Sequence, residues 1–407
     1  MNRTSVPAAS RRRARLIATA LALPLAAAGQ LAVALPAHAD TKSAVAMGDS
    51  FVSGEGGRCK GNSDTFTGSR AGTDRAYSSG TYDAARVYGA SYAGGCDRSD
   101  SAEVTSAFGT AKAVNLACSG AKTTNVFRAD HGGRAFKGEK PQADQLAAVA
   151  AKRTVGLVVL SVGGNDLGFS DIIAGCVKSY ETWSSCRDDQ QEAVDSRIDA
   201  AMENVGKSID EIRAVMDRAG YRRSAYRIVL QSYPSPIPRA AENRYPASGW
   251  RRTNDGGCPV GDGDANWARD SLVPQMSGRL ADVAADRGVQ FLDLQDLLQG
   301  HEVCSSGASL ATSSHGPSES GSEWARFLTT GLSQGTRQES MHPNYYGQLA
   351  LGRCLSLINA RPAGRNYTCH NTPGRTPPAS TSMNWADTTG GSAADRARSP
   401  LSPGRRP

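Results

Sequence analysis

Ala44-Val45-Ala46-Met47-Gly48-Asp49-Ser50-Phe51 is the stretch on which the fold turns. A short apolar run breaks abruptly into glycine and small polar residues, the pattern of a buried parallel strand that ends in a turn. Four further runs read the same way, at residues 113–116, 155–161, 227–231 and 289–292. Between them lie helical patterns. The clearest is Ile198, Ala201, Val205, Ile209, Ile212 and Val215, recurring at three- and four-residue steps and stopping before Gly220, and others span 141–152, 264–287 and 344–360. Strands alternating with helices predict a doubly wound α/β sheet, whose chemistry sits beyond the carboxyl ends of the strands.

The residues after the strands fit that rule. Gly48-Asp49-Ser50-Phe51 follows the first strand, Ala117-Cys118-Ser119-Gly120-Ala121 the second and Gly163-Gly164-Asn165-Asp166 the third, while Glu339-Ser340-Met341-His342-Pro343-Asn344 leads into the last helix. A serine hydroxyl becomes a nucleophile when a base takes its proton, and Ser50 stands on a glycine-containing turn able to present its Oγ. Of six histidines only His342 has the context of that base. His38 falls in the leader and His370 at the edge of the tail, while His131, His301 and His315 lie in polar, loop-like sequence. A tetrahedral oxyanion needs donors fixed beforehand, and the N–H groups of Ser50 and Gly120 with the Asn165 amide supply three. Asp49 reads as a turn residue bonding its own backbone. Gly54, Gly56 and Gly57, with Glu55, read as a flexible loop beside the site and not as a phosphate cradle, because no Lys-Ser/Thr and helix follow.

Gly331-Leu332-Ser333-Gln334-Gly335 matches the nucleophile elbow of another hydrolase class. That elbow needs a strand before it and an Asp and then a His well downstream. Here 324–330 reads as helical and His342 follows closely, so the match is set aside. Trp183, Trp250, Trp267 and Trp324 are candidates for an acyl groove or for the core.

The four blocks, in this order from Ala44 to Gly352, resemble the SGNH (GDSL-type) hydrolases, whose namesake residues correspond to Ser50, Gly120, Asn165 and His342. Cys-Ser-Gly-Ala in the second block and His-Pro-Asn in the last are similar to the secreted bacterial esterase, lipase and phospholipase branch. The resemblance implies an α/β/α sandwich on a five-stranded, parallel, flavodoxin-like sheet, and hydrolysis of carboxylic esters through an acyl-enzyme without a cofactor. Many members carry Asp three residues before the histidine, where this chain has Glu339. Either Glu339 or the backbone carbonyl of Ser340 orients the imidazole, since a third member that only orients can be replaced. The resemblance also implies disulfides Cys96–Cys118, Cys176–Cys186 and Cys258–Cys304. Cys354–Cys369 would then close the last helix, leaving Cys59 over. A lipid ester is the expected substrate. A carbohydrate acetylesterase of the same fold, or a glycan- or wall-binding protein on an inactive scaffold, are the alternatives, because fold alone does not choose the substrate.

Both ends read as dispensable. Residues 1–39 hold Arg11, Arg12, Arg13 and Arg15 ahead of an apolar run ending in Ala37-His38-Ala39, a signal peptide cut before Asp40, with the export route open between the Sec and twin-arginine systems. Residues 371–407, rich in Pro, Gly, Ser, Thr and Arg, read as a disordered tail. The excess positive charge lies in these ends, and residues 40–370 are nearly neutral and long enough for one hydrolase domain. No nucleic-acid partner is therefore expected, nor stable insertion in a membrane, and the chain is expected to be a secreted monomer. Nine cysteines in an exported chain read as disulfides. No metal is expected, because neither C-x-x-C nor H-x-x-x-H spacing occurs.

Overall fold

In chain order the strands are β1 (Ser43–Gly48), β2 (Tyr77–Ser78), β3 (Thr81–Tyr82), β4 (Ala113–Asn115), β5 (Val155–Ser161), β6 (Arg227–Gln231), β7 (Gln290–Asp293), β8 (Asn366–His370) and β9 (Ser382–Ala386). The computed structural model describes residues 42–63, 72–329 and 336–371, together with the backbone of 382–386. The expected leader 1–39, the rest of the expected tail and Gly331–Gly335 lie outside the described residues. The main sheet runs β4-β1-β5-β6-β7-β8-β9, and β2 and β3 form a separate small hairpin. The pairings from β4 to β8 are all parallel, whereas β9 runs antiparallel to β8.

The expectation of five strands is corrected, among the described residues, to six parallel strands and one antiparallel strand. The two additions lie at the C-terminal end. Asn366-Tyr367-Thr368-Cys369-His370 contains no apolar run, because β8 buries only every second side chain: Tyr367 and Cys369 are buried, and their neighbours are half-buried. β9 falls within the segment expected to be disordered, so that expectation is corrected for 382–386. Residues 324–329, expected to be helical, are extended instead, with Ala325 paired antiparallel to Pro343.

Alternation along the strands sends side chains to two apolar layers. Val45, Met47, Val158, Leu160 and Leu230 meet the helices Gln142–Ala150, Ile198–Arg218 and Val273–Asp286 on one face. Ala44, Ala46, Leu157, Val159, Val229 and Leu292 meet the helix Tyr345–Asn359, together with Val104 and Trp324, on the other. The result is a three-layer α/β/α sandwich. Helix Ile198–Arg218 buries Ile198, Ala201, Val205, Ile209, Ile212 and Val215, the stripe that its spacing predicts.

Disulfides join Cys96 to Cys118, Cys176 to Cys186, Cys258 to Cys304 and Cys354 to Cys369, and Cys59 is a buried thiol. The first ties the block around Gly120 to the preceding loop. The last joins helix Tyr345–Asn359 to β8.

Candidate active site

Gly48 brings the first and third blocks together. Its φ is +130°, and a Cβ there would lie 1.8 Å from the Ser161 carbonyl oxygen, so the ends of β1 and β5 approach to a distance open only to glycine. Gln142 locks this crossing, donating from Nε2 to Gly48 O and accepting from Gly48 N, both at 2.7 Å. Asp49 then caps the short helix Ser50–Ser53 by accepting from Phe51 N. The other Asp49 oxygen accepts from Tyr233, whose hydroxyl accepts in turn from Gly164 N at 3.2 Å. Burial pushes the Asp49 pKa up to about 7. Asp49 thus sits in the framework that joins the first and third blocks.

The histidine segment is held by a short two-stranded pairing. Met341 N donates to Arg326 O at 2.7 Å, Arg326 N to His342 O at 2.8 Å, and Asn344 N to Trp324 O at 2.8 Å. Asn344 then caps the last helix, accepting from Tyr346 N and Gly347 N. The imidazole lands with Nε2 2.7 Å from Ser50 Oγ and Nδ1 3.0 Å from Ser340 O. These contacts assign a proton to Nδ1, donated to the carbonyl, and leave Nε2 free to accept the serine proton. Burial lowers the His342 pKa to about 4, so the ring is neutral at pH 7.

Gly120 follows Cys118 on a turn closed by Ala121 N donating to Cys118 O at 3.0 Å, and its φ of +81° favours glycine. Asn165 Nδ2 donates to Ala121 O at 3.0 Å, which links the second and third blocks and leaves its second amide proton for a ligand. Ser50, Gly120, Asn165 and His342 therefore belong to one connected arrangement.

Glu339 stands elsewhere. Its carboxylate accepts from Arg58 Nη2 at 2.8 Å, from Tyr88 OH at 2.9 Å and from Thr336 N at 3.2 Å. Of the two acceptors weighed for the imidazole, Ser340 O is the one in contact. Glu339→Gln is expected to keep kcat within a few-fold of wild type while lowering stability by about 3 kcal/mol, because it strips charge from a buried ion pair with Arg58. Thermal unfolding and kcat measured on the same preparation check this. A large loss of kcat in a fully folded variant would return the orienting role to Glu339.

Gln142, Tyr233 and Arg58 carry no local signal in the sequence, since each acts on a partner far along the chain. Of the tryptophans, Trp267 and Trp324 are buried, while Trp183 and Trp250 are exposed and meet edge to face at 6.2 Å. Among the described residues, no group of three or more His, Cys, Asp or Glu side chains is placed to hold a metal ion, and no helix is long and apolar enough to cross a membrane.

The model of the GDSL-like lipase/acylhydrolase family matches residues 46–349. The chain is 26% identical over 341 residues to a lipase of Streptomyces rimosus, covering 83% of this chain and 94% of the relative. Lipase 1 of Streptomyces coelicolor is 28% identical over 356 residues, covering 86% and 98%. The crystal structure of an extracellular lipase from Streptomyces rimosus aligns with a TM-score of 0.43 at 23% identity, over 79% of this chain and 100% of that one. The chain belongs to the GDSL-like lipase/acylhydrolase family. It is a carboxylic ester hydrolase of the SGNH class.

Proposed function

We propose that the protein is a secreted, monomeric serine hydrolase that cleaves lipid acyl esters through an acyl-enzyme, with Ser50 as nucleophile and His342 as base. The 2.7 Å contact between Ser50 Oγ and His342 Nε2 carries this reading. As Oγ bonds to the ester carbon, its proton passes to Nε2, and the carbonyl oxygen becomes an oxyanion facing the N–H groups of Ser50 and Gly120 and the Asn165 amide. Nε2 then protonates the departing alcohol. A water, deprotonated by the same nitrogen, releases the acid and restores Ser50. The names of both Streptomyces relatives favour a lipid substrate. Four disulfides suit an oxidising, extracellular setting.

The test is a chain-length series of p-nitrophenyl esters, run beside a phospholipid and acetylated xylan. Rising kcat/KM from acetyl to medium and long acyl chains, with phospholipid hydrolysed and xylan untouched, is the expected result. Confinement to acetyl groups on xylan would make the enzyme a carbohydrate acetylesterase.

A further inference from the structure

Glu55 is a buried acid beside the candidate base. It lies between Gly54 and Gly56, both in the left-handed region with φ of +90° and +82°. At Gly56 a Cβ would meet Pro343 O at 3.0 Å and the His342 Cβ at 3.3 Å, so this loop presses directly on the histidine segment. Glu55 N donates to Ser50 O at 3.2 Å, which fixes the loop to the candidate nucleophile as well. The sequence reads this stretch as a flexible loop, yet Glu55 is only 1% exposed.

The carboxylate is placed with an economy of partners. Oε2 accepts from Ser119 Oγ at 2.5 Å and lies 3.7 Å from His342 Nε2. Oε1 has no hydrogen-bond partner among the described residues. Burying a carboxyl group with one hydrogen bond is costly, and Ser119 alone would be anchored as well by a neutral side chain. The imidazole, for its part, meets a neutral carbonyl at Nδ1, which does not balance the charge the ring gains on taking the serine proton.

We propose that ionised Glu55 is a positioning residue that holds His342 from the Nε2 side once that nitrogen has taken the serine proton and balances the imidazolium charge during acyl transfer, a role that rests on Ser50 and His342 being nucleophile and base. Glu55 itself gains and loses no proton in the cycle, since the serine proton travels to Nε2 and on to the leaving alcohol. The charged and polar groups around it are Asp97, Glu339, Lys137, Ser119 and His342. Burial, with the negative charges of Asp97 and Glu339, holds its carboxyl well above the usual range, against the opposing pull of Ser119 and Lys137. Activity should therefore rise as Glu55 ionises, at a pH above that of an ordinary carboxylic acid.

Glu55→Gln keeps the shape and an acceptor for Ser119 while removing the charge. With a soluble p-nitrophenyl ester it is expected to lower kcat about 10- to 100-fold with KM little changed. The part of the wild-type rise of kcat that lies above the ordinary carboxylate range should be missing in Glu55→Gln and present in Glu55→Asp, while the lower rise, as His342 loses its proton near pH 4, stays in both. Wild-type kcat in Glu55→Gln, or a lowered kcat that keeps the wild-type pH profile, overturns the proposal. If Glu55→Gln does not fold, the wild-type profile decides: no rise in kcat above the ordinary carboxylate range overturns it. Ser50→Ala run alongside separates the two claims. Turnover surviving in Ser50→Ala strikes at the nucleophile, whereas an inert Ser50→Ala beside an unaffected Glu55→Gln strikes only at Glu55.

Discussion

Ser50→Ala is expected to abolish ester hydrolysis, lowering kcat by about 10⁴- to 10⁶-fold, in a protein that melts within a few degrees of wild type. The hydroxyl serves the site through its contact with His342 Nε2. The local structure depends on the backbone of Ser50, whose carbonyl accepts from Ser53 Oγ and Glu55 N, and alanine keeps both. A small residue also still fits the buried start of the helix after Asp49. Initial rates on a p-nitrophenyl ester, paired with a melting curve, make the measurement. Wild-type turnover in a folded Ser50→Ala would place the nucleophile elsewhere.

Asn165→Ala should cost about 10²- to 10³-fold in kcat with KM little changed, as the loss of one oxyanion donor does. The amide has two protons, and the one given to Ala121 O fixes where the other points. Alanine removes the donor and also loosens the tie between the second and third blocks, so a modest fall in melting temperature should accompany the rate loss. Asn165→Asp offers a sharper contrast, because an ionised carboxylate keeps the shape, has no proton to give Ala121 O and repels the oxyanion. It should be at least as slow as Asn165→Ala. A change confined to KM would make Asn165 a substrate-binding residue instead.

The four blocks are legible in the sequence because each follows a strand end or enters a helix, so local spacing carries the long-range arrangement. Ser50, Gly120 and Asn165 follow β1, β4 and β5, and neighbouring parallel strands bring their ends together. The supports are not legible in this way. Gln142 grips Gly48 across 94 residues, Tyr233 reaches Asp49 across 184 and Arg58 reaches Glu339 across 281. Glu339 occupies the offset of a familiar orienting acid, yet its partner lies in a distant loop that no spacing reveals. The glycines around Glu55 suggested freedom, whereas their left-handed backbone and the nearby His342 segment make them a close fit. β8 was hidden for a different reason: its buried residues, Tyr367 and Cys369, alternate with half-buried polar neighbours and so leave no apolar run to read.

Met341 adopts a φ of +63°, a conformation that costs a non-glycine residue roughly 1 kcal/mol. The turn it makes stands between the Ser340 carbonyl and the imidazole that carbonyl receives. Because the acceptor belongs to the main chain, replacing any single side chain leaves that atom in the protein. An alanine scan would probe Ser50 and His342 and pass over the oxygen in contact with the imidazole. Such an element is inherited through the path of the chain, so selection can preserve it while the residues that spell it drift.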